Sequence, residues 1–221
     1  MSVYKTQDLY ELNRTIASPL LGKYMYHWKA LGDLQELILL LGPELPADTV
    51  YQAEKWVWIA KSAKIASSAH IGGPCIIDEE AEVRHCAFIR SNAIVGKKAG
   101  VGNSTELKNV VLFDGVPVPH FNYVGDSILG HKANRGAGAV HSNVKSDQSL
   151  VIIKSGEESL ETGRKKVVAM VGDYVEVGCN SVLCPGCVLG KGVTVYPTSC
   201  VRGTVPENSI FKSTGNIVEK Q

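Results

Sequence analysis

Aromatic residues are scarce in this chain, at 7% of 221 residues. With 22 glycines, that scarcity points to many turns and small packed side chains. An excess of charge of either sign is also missing. Lys and Arg total 23, Asp and Glu 22, for a formal net charge of +1, which argues against nucleic acid as the main partner, since phosphate binding draws on a basic excess. No apolar run approaches the ~20 residues of a membrane-spanning helix. The opening "MSVYKTQDLYELN" lacks the basic-then-apolar pattern of a signal peptide. A cytoplasmic protein is the expectation, with its six cysteines as reduced thiols. The length suits one domain, or one domain with an arm.

What the chain has instead is a period of six. Aliphatic residues recur at Ile59, Ile65, Ile71, Ile77, Val83, Ile89, Val95, Val101 and Leu107. Two residues before each stands a mostly smaller one, from Val57, Ala63, Ala69 and Cys75 to Ala99 and Thr105. The frame returns at Val171, Val177, Leu183, Leu189, Val195 and Val201. Six residues rotate an α-helix by about 600°, so the slots would drift around its axis. A short strand followed by a tight corner uses the pattern well. Three such units close one coil of a prism, large aliphatics point inward, and successive coils pair at about 4.8 Å. The expected fold class is therefore an all-β solenoid, a parallel β-helix of hexapeptide repeats.

Between the clean runs the frame slips. A five-residue step leads from Leu107 to Leu112, and another from Val124 to Leu129. The next slots are Arg135 and His141, neither aliphatic. A buried Arg needs a partner or a bound anion, unless the coil opens there or the register is wrong. From about 142 to 168 the repeat is interrupted, and "SLVIIKSGEESLETGRKKVVAM" reads as a hairpin leaving the prism. Residues 1–55 carry helical spacing and a glycine stop, which predicts an N-terminal helical arm. Its simplest role is to cap the open first coil, and packing along the prism or on a neighbouring subunit is the other. The coils are expected over 56–206, with a tail at 207–221. In so regular a scaffold, binding is expected where the frame is irregular.

That irregular stretch reads "PHFNYVGDSILGHKANRGAGAVHSN". It resembles the acetyltransferase domain of the bifunctional glucosamine-1-phosphate acetyltransferase/N-acetylglucosamine-1-phosphate uridyltransferase. The shared order is His120, Tyr123, Gly125-Asp126, Asn134, Gly136-Ala137-Gly138 and Asn143, and the likeness runs from about 70 to 205. The resemblance implies a left-handed winding and a homotrimer. It also implies acetyl-CoA as cosubstrate, with no metal required, and an amino-sugar phosphate as acceptor. No glycine-rich nucleotide loop of the uridyltransferase type occurs, so no pyrophosphorylase activity is expected. Val144 stands where the family has a tyrosine associated with the acetyl group, which bears on efficiency or acyl identity.

Roles follow from residue chemistry and the resemblance together. His120 is the candidate general base, because N-acetylation needs a deprotonated amine and imidazole titrates near neutrality. Arg90 and Lys108 each follow an inward slot and lie one coil apart. They should stack about 5 Å apart on one edge, where they could clamp a phosphate with Tyr123. Asn134 and Asn143 are assigned to sugar and thioester, with Asn143 in the catalytic set. Both residues equally suit left-handed corners. Asp126 is expected to fix its turn or to orient His120. Gly136 and Ala137 would let the pantetheine arm approach the backbone, with Cys179 and Pro197 further along that channel. "CPGC" at 184–187 invites a redox or zinc reading, but no second cysteine pair or nearby histidine completes a set. Two other classes stay open: a binding module without turnover, and a trimeric scaffold that partners a separate nucleotidyltransferase.

Overall fold

The computed structural model describes residues 2–221. Each hexad lays down one short strand and one corner, and the strands of successive coils pair in parallel. On the first face Val57–Ile59 pairs with Cys75–Ile77, and Cys75–Ile77 with Ala93–Val95. A second face starts at Lys64–Ile65 beside Glu82–Val83, and a third at His70–Ile71 beside Phe88–Ile89. The result is the left-handed parallel β-helix expected. Inward slots from Ile77 to Leu107 are no more than 1% exposed. Ile65 and Ile71 are only partly buried, because no coil lies beyond them.

The corners explain the beat. Glu80, Cys86, Asn92, Lys98 and Ser104 all hold positive φ, one per hexad. The next such residues are Asn109 after Ser104 and Asp126 after Phe121, each a five-residue step. These shortened corners are the frame slips read from the sequence. The register confirms them, with Leu107 opposite Val124 and Leu112 opposite Leu129. Asn and Asp occupy these left-handed corners at lower steric cost than most residues.

Arg135 and His141 do point inward, at 1% and 0% exposure. The coil neither opens nor changes register there, since Arg135 pairs with Val177 and His141 with Leu183. His141 Nδ1 lies 2.6 Å from Ser127 Oγ. None of the Arg135 guanidinium nitrogens has a hydrogen-bond partner among the described residues. Burial pulls the Arg135 pKa down to about 9. Burial, and then the neighbouring guanidinium, holds His141 well below its ordinary value.

The N-terminal arm is helical in short pieces, Thr6–Leu9, Ser18–Leu21 and Leu34–Leu41, joined by 3-10 turns. Its last segment, Val50–Glu54, pairs antiparallel with Val57–Ala60 at the open edge of the first coil, but its helical pieces do not sit over that coil. The helical pieces lie along the first face, whose strands run to at least three residues and carry an outward column of Trp58, Ile76, Ile94, Val111, Ile128, Met170 and Val188. Every member of that column is buried. An apolar outer face needs a cover, and burying each such side chain contributes roughly 1.5–3 kcal/mol. Backbone bonds fix the arm in place: Asp173 N donates to Leu9 O at 3.0 Å and Asp114 N to Arg14 O at 3.0 Å. A Cβ on Gly42 would sit 2.3 Å from the Trp58 ring, so that close approach needs glycine.

The insertion forms the expected hairpin, Ile152–Ser155 antiparallel to Glu158–Glu161. Rather than leaving the prism, it folds back beside the arm. Ser155 Oγ donates to Ser2 O at 3.0 Å, and Thr204 Oγ1 to Lys154 O at 2.7 Å. The last coil closes with Ser209–Ser213, parallel to Thr194–Val195, and Asn216–Glu219 then turns back antiparallel. No helix among the described residues is long and apolar enough to cross a membrane.

Candidate functional site

The corner between the third and first faces collects most of the polar candidates. Ile89 pairs with Leu107 and Lys108 with Gly125, so Arg90 and Lys108 stack on adjacent rungs, about 4.8 Å apart. Their charges are already met. Arg90 Nη1 lies 3.0 Å from Glu106 Oε1, and Lys108 Nζ lies 3.6 Å from Asp126 Oδ2.

Asp126 is the hub of this corner. It is 4% exposed and holds φ at 48°. Asn109 Nδ2 donates to its Oδ1 at 3.0 Å, and Asn143 Nδ2 to its Oδ2 at 3.1 Å. The same Asn143 amide lies 3.0 Å from the Tyr123 hydroxyl. Tyr123 itself is half-buried, and burial raises its pKa, with Asp126 and Glu106 adding to the shift. Three consecutive rungs therefore supply one connected network from Lys108 through Asp126 to Asn143 and Tyr123. Of the two roles expected for Asp126, it takes the turn position at positive φ, and its side-chain partners are Lys108, Asn109 and Asn143 rather than His120.

His120 stands at the other edge of the third face. Its ring is exposed to solvent and packs edge-on against Phe121 at 5.5 Å. Its carbonyl accepts from Asn122 Nδ2 at 3.1 Å and from Gly138 N at 3.4 Å. Ala137, Cys179 and Pro197 run down the same corner on successive rungs. Asn180 N donates to Ala137 O at 2.9 Å, and Thr198 N to Cys179 O at 2.8 Å. So the proposed base heads the column assigned to the cofactor, while the phosphate candidates lie across the strand Tyr123–Leu129. Gly136 has a further, structural reason to be glycine. A Cβ there would lie 2.4 Å from Cys179 N of the next rung.

Asn134 is not brought to this network. It is exposed on the second face, opposite Glu176. Val144 is exposed and follows Asn143 directly. "CPGC" is a corner, with Gly186 at φ 77°. Cys187 points into the lumen and is fully buried, whereas Cys184 Sγ lies 3.5 Å from Cys200 Sγ. No group of three or more potential metal ligands occurs among the described residues. Sequence reasoning missed Asn109 and Glu106. The signal for Asn109 was present: it is an Asn at a five-residue step, where a left-handed corner must fall.

The chain resembles known proteins over the same region. The family model described as the GMPPB C-terminal domain matches residues 71–155. A bifunctional sugar-1-phosphate nucleotidylyltransferase/acetyltransferase of Sulfurisphaera tokodaii is 32% identical over 186 residues, covering 74% of this chain and 46% of that protein. The bifunctional protein GlmU of Methanococcus aeolicus is 30% identical over 175 residues, 71% of this chain and 42% of its own length. The chain thus spans less than half the length of these relatives. Among solved structures, a mutant of the Bacillus cereus N-acyltransferase AntD, in complex with dTDP and coenzyme A, aligns at 17% identity and a TM-score of 0.30. That alignment covers 73% of this chain and 84% of AntD. The resemblance to nucleotidyltransferase/acetyltransferases holds across about three quarters of the chain.

Proposed function

We propose that the protein transfers an acetyl group from acetyl-CoA to the amine of an amino-sugar phosphate of the glucosamine-1-phosphate kind. The observation that carries this reading is the third face. One of its edges joins Arg90, Lys108, Tyr123, Asp126 and Asn143, and the other carries His120 at the head of the Ala137–Cys179–Pro197 column. In the proposed reaction His120 removes the amine proton. The nitrogen forms its bond to the thioester carbon, the carbon–sulfur bond breaks, and the coenzyme A thiolate leaves and takes up a proton. Positioning donor and acceptor side by side supplies much of the acceleration. Asn143, or a backbone N–H, would face the developing oxyanion. Phosphate would draw Lys108 and Arg90 out of their pairs with Asp126 and Glu106. His120 and the cofactor column are open to solvent, so packing of a second and third copy against this face would close the site. A homotrimer is part of the proposal.

The test is release of coenzyme A thiol from acetyl-CoA, with glucosamine-1-phosphate and a panel of other amino-sugar phosphates as acceptors. Amine-dependent release with a matching acetamide product supports the reading, and no release with any acceptor removes it. One observation favours a second reading, a binding module without turnover. Arg90 and Lys108 are neutralised within the chain, as they would be in a site that no longer holds a reacting anion. Saturable binding of the sugar phosphate without thiol release would decide for it.

A further inference from the structure

The insertion leaves the prism at the corner that carries Lys108 and Asn143, and it returns over the coils beyond. Between it and those coils lies a cavity of about 570 Å³, lined by Lys145, Lys154, Arg202, Asp147, Cys184 and Val144 among others. Its place follows from the register. Tyr123 pairs with Val140, His141 with Leu183, and Leu183 with Val201. Lys108, Ser142, Cys184 and Arg202 therefore fall in one column along a single edge. Lys108 and Arg202 are four rungs apart, about 19 Å at 4.8 Å per rung.

The two ends of this edge differ in charge. At Arg90 and Lys108, two cations meet two carboxylates, and the sum is zero. In the cavity Lys145 pairs with Asp147 at 3.5 Å. Lys154 and Arg202 have no carboxylate partner among the described residues, so the lining keeps a charge of +3 − 1 = +2. A concave site of this size with two uncompensated cations, one of them a planar fork, suits phosphate oxygens. Its walls also raise the field above that of an open surface.

We propose that this cavity is an anion subsite for a phosphate-bearing group, bound by Arg202 and Lys154 with Lys145 at its margin. Pyrophosphate or a phosphate monoester on a nucleoside has the required chemistry. Two molecules could present it: the adenosine diphosphate end of coenzyme A, or a nucleoside diphosphate attached to the acceptor sugar. Either lies within reach, because Ser142 and Val144, which flank Asn143, also line the cavity. The assignment goes beyond the acyl-transfer reading and stands on binding alone.

The experiment is calorimetric titration of the full chain with inorganic pyrophosphate, repeated with Arg202→Gln, Lys154→Gln and Lys108→Gln. Both cavity side chains are exposed, so the first two variants keep the fold, checked by an unchanged thermal midpoint. Saturable binding that falls about tenfold or more in Arg202→Gln and Lys154→Gln, and is retained in Lys108→Gln, supports the subsite. Binding that is absent, or lost only in Lys108→Gln, overturns it. Coenzyme A and UDP as further probes identify the source. The one whose affinity falls in Arg202→Gln is the natural occupant, and if neither falls, the subsite is not used by these ligands and the proposal is withdrawn. A failed acetyl-transfer assay alters none of these outcomes.

Discussion

The coils up to Leu107 and those from Leu112 to His141 share one prism but not one interior. In the first set, 18-residue coils stack with aliphatic slots at every face, and Ile77, Val83, Ile89, Val95 and Val101 are buried to 1% or less. In the second set the coil shortens to 17 residues, as the pairing of Leu107 with Val124 shows. Its lumen then takes in Ser127, Arg135 and His141, all buried. The difference teaches a division of labour. The regular coils hold apolar contacts that need no specific partner. The shortened corners turn Asn109 and Asp126 into left-handed positions, from which their side chains reach the next rung and tie Lys108, Asn143 and Tyr123 together. Polar chemistry outside the prism coincides with polar residues inside it.

The sharpest way to break that comparison is to change one inward slot in each set. Ile89→Ala in a regular coil removes buried methyl groups between two paired rungs and should cost about 2–5 kcal/mol. Arg135→Met in the irregular set should have the opposite sign. It exchanges an unpartnered buried guanidinium for an apolar chain of similar volume, for a gain of about 1–4 kcal/mol. Chemical denaturation of both variants checks the pair. A loss for Arg135→Met would mean that the guanidinium has a counter-charge in the lumen, and the two interiors would then be equally satisfied.

The hexad beat, both five-residue slips and the hairpin were legible in the sequence, because each is a local pattern of inward slots and corners. The resting place of the arm was not. Its docking surface is the outward column Trp58, Ile76, Ile94 and onward, which repeats once per coil. A reading that counts inward slots every six residues passes over a signal that repeats about every 18. The site was half legible. Arg90, Lys108, Tyr123 and Asn143 were assigned to one site, and their corner follows from the beat. Asn134 was grouped with Asn143 by sequence order, yet they lie on different parts of the coil, because only the count of strands since the last corner says which face a residue occupies. The turn at Asp126 was read, but its bonds to Asn109 and Asn143 were not, because these partners come from the neighbouring rungs, 17 residues away on each side.

A smaller effect separates the arm from the lumen by pH. Burial lowers His27 to about 3 and His141 well below its ordinary value. Both imidazoles therefore bind protons more readily in the unfolded chain. Their contribution is complete above about pH 6.5, the unfolded value, and is lost as pH falls below it. For each histidine the slope is about 1.4 kcal/mol per pH unit. Between about pH 6.5 and 5 most carboxylates remain ionised, so these two rings supply the fall in stability, set against opposite-signed contributions from Asp78, Asp114 and Asp173, whose carboxyls burial raises. A His27→Phe variant should roughly halve the slope of unfolding free energy against pH in that window. An unchanged slope would place the whole effect in the lumen, at His141.

The smallest expected change in stability is at His120. The ring is solvent-exposed and its aromatic contact is with exposed Phe121, so His120→Ala should shift the unfolding free energy by no more than about 0.5 kcal/mol. If it serves as the general base, its loss should lower acetyl transfer by about 10²–10⁴-fold. The same variant should leave binding of a sugar phosphate unchanged, because that corner draws on Lys108, Asp126 and Tyr123 across the strand. Asp126→Asn should act on binding instead: it releases Lys108 from the ion pair that a phosphate would otherwise have to break, so the acceptor binds more tightly, while the contribution of His120 to the rate is retained. A His120→Ala protein with a full rate of transfer would move the proton acceptor elsewhere on the third face. The assignment of chemistry to the shortened coils would then rest on the Asp126 corner alone.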